Sequence, residues 1–129
     1  MKIQQKDEIS LIFQLSPIEQ IIMDLFWEQN QWMSGANVWT YFNQHHKPYE
    51  RSTINTYLMR MTEKGLLIKK QRKYIYAYTK QDFEKKKAEE VLSVMYNGSL
   101  TKFLSALNGS KELTDTEKYE LEAYLEQQE

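Results

Sequence analysis

Apolar positions recur first at Ile18, Ile21, Ile22 and Leu25, the spacing that lines one face of an α-helix. Ser16, Pro17 and Glu19 stand just ahead of that stripe. A serine N-cap, a proline at the first helical position and a Ser-x-x-Glu capping box predict a helix running to about Trp27–Gln29. The polar stretch 28–31 ends it, and Trp32-Met33 forms a short apolar bridge that suits one small strand. Ser34 then caps a second helix whose apolar face is Val38, Trp39 and Phe42. It fades over 44–47, and Pro48 breaks the chain. A third helix is predicted from about Arg51 to Lys64, with Ile54, Tyr57, Leu58 and Met61 inward and Gly65 as its C′ residue. Residues 66–70 and 74–78 are rich in β-formers, and Gln71-Arg72-Lys73 between them is a polar turn. The result is a β-hairpin with a basic tip.

Three helices with one apolar face each, followed by a hairpin, is the order of a winged helix-turn-helix. Beyond Thr79 the pattern predicts a helix over about 80–96, with Phe83, Val91, Leu92 and Met95 apolar, and a stop at Asn97-Gly98. Leu100, Phe103, Leu104 and Leu107 then recur at i, i+3, i+4 and i+7, and Asn108-Gly109-Ser110 is expected to end that helix. Thr114 and Glu117 form another capping box ahead of a last helix carrying Leu121, Tyr124 and Leu125. Single-faced short helices of this kind bury little alone. Their apolar faces call for a second copy of the chain or for packing against the N-terminal core; the former is preferred. The fold class is therefore mainly α with a small β-hairpin. Residues 1–79 are expected to form a winged-helix DNA-binding domain and 80–129 a helical dimerisation region.

Composition narrows the class further. Four Gly and two Pro in 129 residues argue against a multi-stranded sandwich. The absence of cysteine removes disulfides, thiolate metal sites and cysteine nucleophiles from this chain. Met1–Glu8 is charged and lacks the apolar core of a signal peptide, and no apolar run approaches the ~18 residues of a membrane span. A cytoplasmic protein without membrane insertion is expected.

The net charge of −1 conceals a split. Residues 1–80 carry 11 basic against 7 acidic side chains, while 81–129 carry 6 against 11. Within 47–80 the balance is 9 against 2. That basic stretch coincides with the third helix and hairpin. With Ile54, Leu58 and Met61 inward, Ser52, Asn55, Thr56 and Met59 face outward. Asn can pair bidentately with adenine, and Thr can bond a base edge or touch a thymine methyl. Arg51 stands at the N-terminal turn that enters the major groove in such folds, and Arg60 and Lys64 lie where phosphates would run. Lys69, Lys70, Arg72 and Lys73 crowd the hairpin, with Tyr74 and Tyr76 on one face of its second strand.

The ordered set of motifs resembles one family. Ser16-x-x-Glu19 with Trp27, the run 52–61, Glu63-Lys64-Gly65-Leu66-Leu67, Arg72-Lys73-Tyr74-Ile75-Tyr76, and Asn97-Gly98-Ser99-Leu100 leading to Leu113-Thr114 are similar to the penicillinase-repressor family of bacterial regulators. The resemblance covers about Leu15 to Glu126 and implies a homodimeric winged-helix transcriptional repressor on a palindromic operator of double-stranded DNA. Carried onto this sequence, the DNA-binding residues are Arg51, Ser52, Thr53, Asn55, Thr56, Arg60, Lys64, Arg72, Lys73 and Tyr74. The dimerising set is Val91, Leu92, Met95, Leu100, Phe103, Leu104, Leu107, Leu121, Tyr124 and Leu125. Induction in the family follows cleavage by a membrane metalloprotease sensor or copper(I) binding to a Cys-x-Cys pair. Here the cysteines are absent, and the family's Asn-Phe cleavage point falls near Ala106-Leu107. Tyr49-Glu50-Arg51 replaces the usual Trp-Ser-Pro, Asn55 replaces the usual Arg, and the wing lacks its Gly.

An alternative is a winged-helix protein-interaction module or antirepressor acting through its C-terminal helices. His45-His46 fits a solvent-exposed pair better than a metal site, and no cofactor is implied. Trp27, Trp32 and Trp39 fit core or helix-junction packing. No nucleophile elbow, phosphate loop or zinc-protease motif is present, so no enzyme is expected.

Overall fold

The computed structural model describes residues 11–110 and 114–127, without the side chains of 108–110. The charged stretch Met1–Glu8 and Leu113 lie outside them. The chain divides into two compact units, 1–90 and 91–129.

In the first unit, α1 (Pro17–Gln29) is followed by β1 (Met33–Ser34), α2 (Gly35–His45), α3 (Arg51–Glu63), β2 (Leu67–Lys70) and β3 (Lys73–Tyr76). Helix α4 (Lys80–Tyr96) begins in this unit. Both expected serine caps form. Ser16 Oγ accepts the Glu19 N–H at 3.3 Å, and Glu19 Oε1 accepts the Ser16 N–H at 2.9 Å. Ser34 caps α2 in the same reciprocal way with Asn37. Helix α3 ends in a Schellman turn. The Gly65 N–H donates to the Thr62 carbonyl and the Leu66 N–H to the Met61 carbonyl, with Gly65 at φ +85°. Leu66 and Met61 are both fully buried, which supplies the turn's apolar contact.

The hairpin is not alone. β1 pairs antiparallel with β3, giving a three-stranded sheet in the order β1-β3-β2. The loop is two residues long, not three, because Lys73 pairs with Lys70 across it. Gln71 and Arg72 both take positive φ, 51° and 67°. Twisted strands joined by two residues demand this left-handed pair, normally supplied by Asn or Gly. Neither residue here is suited to it. Gln71→Gly is therefore expected to stabilise the fold by about 0.5–1 kcal/mol, seen as a raised urea midpoint at unchanged m.

The core gathers Ile22, Met23, Leu25 and Phe26 of α1, Val38 and Phe42 of α2, and Ile54, Leu58 and Met61 of α3. Leu66, Leu67, Tyr74 and Phe83 close it. Phe83 stacks edge-on against both Phe13 and Trp27. Trp27 and Trp39 pack as expected, each donating its indole N–H to a backbone carbonyl, of Tyr78 and Tyr49 respectively. Trp32 does not; it is 40% exposed, because β1 is an edge strand that keeps only Met33 inside.

In the second unit, α4 stops at Tyr96, before Asn97-Gly98. Then come α5 (Leu100–Ser110) and α6 (Asp115–Glu126). Helix α5 continues through Asn108 and Gly109 rather than ending there. Thr114 and Glu117 form the expected capping box of α6. Tyr96 and Phe103 meet edge-to-face at 5.3 Å. No residue among those described in 91–127 is fully buried.

Candidate nucleic-acid interface

Helix α3 is held by its inner face. Ile54, Leu58 and Met61 are wholly buried, and the Trp39 indole fixes the turn from α2 to α3 through its 2.8 Å bond to Tyr49. Glu50 is the N-cap of α3 and Arg51 its first residue. Glu50 makes no side-chain cap, and Arg51 places a cation at the helix entrance. The outer face carries Arg51, Ser52, Asn55, Met59 and Arg60, all exposed, with Thr53 and Thr56 half-buried. The Thr56 hydroxyl donates to the Ser52 carbonyl at 2.9 Å, which leaves its methyl and lone pairs for other contacts. The Asn55 carboxamide makes no hydrogen bond within the described residues.

Helix α3, the start of α2 and the sheet together form an open notch of about 420 Å³. Arg51, Asn55 and Met59 line it from α3, Ser34 and Gly35 from the β1–α2 junction, and Lys69, Arg72 and Tyr74 from the hairpin. Three cations thus converge on one hollow with a free amide. Gly35 permits this packing: a Cβ there would lie 2.6 Å from Asn55 Oδ1.

The basic residues of the hairpin do not form a single patch. Strand alternation sends Lys69 and Lys70 to opposite faces. Lys69, paired with Tyr74, faces the notch, its Nζ 5.4 Å from the tyrosine ring. Lys70 and Lys73, directly opposed across the loop, line a second hollow with Gln71 and the exposed Trp32. Like charges directly opposed in a sheet repel, an arrangement that an anionic ligand relieves.

Two residues expected at the interface are committed elsewhere. Tyr74 is only 7% exposed and belongs to the core, because its strand is central in the sheet and that face is covered. It forms a wall of the notch rather than a reaching side chain. Lys64 Nζ donates to Glu19 Oε2 at 2.9 Å and so is tied to α1. Burial pushes the Glu19 carboxyl up. The Ser16 N–H, then the hydrogen bond and charge of Lys64, outweigh it and hold the pKa below the ordinary value of 4.5. A lowered native pKa means stability that is complete above the unfolded-state pKa and lost as pH falls through the native one. Wild type is therefore expected to exceed Glu19→Gln in stability at neutral pH. The gap should close on acidification below about pH 4.5 in urea melts across pH.

Lys69, Met59, Gly35 and Trp32 join the surface without having been selected as site residues from the sequence. Period-two alternation from buried Leu67 marks Lys69, and the outward wheel position marks Met59. Gly35 and Trp32 left no local signal. His45 and His46 are exposed and lie against the Tyr41 ring. No group of three or more metal-ligating side chains occurs among the described residues. No helix among them is long and apolar enough to cross a membrane.

The expected dimerising residues split by exposure. Met95, Leu100, Tyr124 and Leu125 are more than half exposed, while Val91, Leu92, Phe103, Leu104, Leu107 and Leu121 are half-buried. No curated protein matches this sequence. A family model described as penicillinase repressor matches residues 15–127, nearly the whole chain, and the protein belongs to the penicillinase repressor family.

Proposed function

We propose that the protein is a homodimeric transcriptional repressor that binds a palindromic operator. Residues 1–79 would bind DNA, with α3 in the major groove and the β2–β3 wing against the backbone. Residues 80–129 would pair two chains. The observation that carries this reading is the notch, where Arg51, Lys69 and Arg72 surround the unpaired Asn55 amide on the outer face of α3. Cations supply sequence-independent attraction to phosphates, and the amide supplies base recognition. Dimerisation is supported by the apolar side chains that the second unit leaves half or more exposed. Repression is by occupancy: a protein seated on a promoter excludes polymerase. Release by cleavage at Ala106-Leu107 would require α5 to open, since that bond lies inside the helix.

The test is selection of duplexes from a random library, followed by affinity against salt and by the mass of the complex in sedimentation. The expected winner is a palindrome with half-site centres roughly 34–36 Å apart, bound by two chains. Log affinity should fall with log salt by about 0.9 per phosphate neutralised. A library that yields no consensus, with a shallow salt slope, would overturn the repressor reading in favour of a protein-interaction module or antirepressor.

A further inference from the structure

Met59 is 55% exposed, the most exposed of the large hydrophobic side chains described in the first unit. It lies on α3, on a surface it shares with three cations, the Asn55 amide, Ser34, Gly35 and the Tyr74 wall. It stands one helical turn beyond Asn55, so the two side chains are neighbours about 5–6 Å apart on the same face. Both line the notch. From the hairpin, Lys69, Arg72 and the wall made by the Tyr74 ring line the same notch, and Met59 stays 55% exposed beside them.

We propose that Met59 reads a thymine by packing on its C5-methyl group, next to an adenine held by Asn55. The inference rests on the operator-binding reading above. The occupant follows from the setting. Three cations around the notch select a polyanion, which makes duplex DNA the partner. The methyl of thymine is the apolar group that the major groove displays. The thioether is flexible and polarizable, which suits it to a methyl group whose position varies with helix tilt. Asn55 and Met59 then act together. The carboxamide bonds the N6 and N7 edge of adenine, and the neighbouring thioether excludes water from an adjacent thymine methyl. Met59 thereby sets a preference for A·T over G·C pairs at two neighbouring positions. Gly35 contributes by leaving room for Asn55 Oδ1.

The experiment takes the full chain and the duplex selected from the random library. Each thymine of one half-site is replaced in turn by deoxyuridine, which removes the methyl and nothing else. Wild type should lose about fourfold in affinity at one position, the equivalent of about 0.8 kcal/mol for one buried methyl-sized group. Met59→Ala should bind the thymine and deoxyuridine duplexes equally at that position, and Met59→Leu should restore the difference. The side chain is exposed, so both variants should melt with wild type. If wild type ignores every demethylation, or Met59→Ala keeps the wild-type difference, the methyl contact is overturned while salt-dependent operator binding stands. If no duplex is selected at all, the operator reading falls and this inference falls with it.

Discussion

Replacing Arg51 and Arg72 together with alanine is expected to weaken binding to the selected duplex on the order of 10⁴-fold or more at 0.15 M salt. The two side chains reach the same notch from different elements, α3 and the loop between β2 and β3. Neither forms an ion pair with an acidic group among the described residues, so neither must be released before it meets a phosphate. A hydrogen bond to a charged group is worth about 1.5–3 kcal/mol when its partner is lost, and a factor of ten is about 1.4 kcal/mol. Two such losses in each of two chains, at least about 6 kcal/mol together, account for the magnitude. If both arginines meet phosphates, the double change removes four contacts from a two-chain complex and the salt slope should become shallower by nearly 4. If Arg51 instead pairs with a guanine edge, the slope should change by about 2 and one base position in each half-site should relax. Both residues are exposed, so the melting temperature should hold. Lys102→Ala, on α5, serves as a control for the loss of a surface cation and should bind as wild type. A double variant that keeps both affinity and slope would place the DNA-binding surface elsewhere.

What could be read from the sequence was local. The capping boxes at Ser16 and Thr114, the C′ glycine of α3 and the apolar stripe of α3 depend on residues three or four apart. All of them form. What the local pattern left out is long-range. The small strand expected at Trp32-Met33 forms at Met33–Ser34, but its partner β3 lies some 40 residues later. Tyr74 goes inside because β3 is then central, which a two-stranded hairpin would not require. Lys64 is drawn to Glu19, 45 residues away, by a carboxylate whose own placement depends on the α1 capping box. Within the candidate interface, the outward row of α3 was legible from its 3.6-residue period. The placement of Lys73 beside Lys70 was not, because the turn was expected to include it. Alternation along β2 separates Lys69 from Lys70, and the two-residue loop sets Lys73 opposite Lys70 and so on the second hollow. Gly109 inside α5 and Trp32 in solvent are departures of the same kind, where local preference yields to the surrounding fold.

Leu58→Ala is expected to cost about 2–5 kcal/mol, the largest stability effect of any single change considered for this protein. The side chain is fully buried between α3 and α2, with Cδ1 3.8 Å from the point where a Gly35 Cβ would stand. Truncation leaves a cavity on the inner face of α3, where Ile54 and Met61 are also fully buried and have little freedom to fill it. Against the 5–15 kcal/mol that holds a typical domain, this is a large fraction. The melting temperature should fall by roughly 10–20 °C, and the urea midpoint should drop at unchanged m. Met59→Ala, one position further along, should stay within about 0.5 kcal/mol of wild type, as exposed substitutions do. The pair separates two roles that α3 combines. Its inner face sets how firmly the helix is anchored, and its outer face sets what it recognises. Residual operator binding by Leu58→Ala at low temperature should therefore keep wild-type base preferences at reduced affinity. Met59→Ala should keep wild-type stability while losing thymine discrimination. A Leu58→Ala variant that melts within a degree or two of wild type would mean that α3 is not anchored through this face. The fixed spacing of Asn55 and Met59 against the wing would then need another cause.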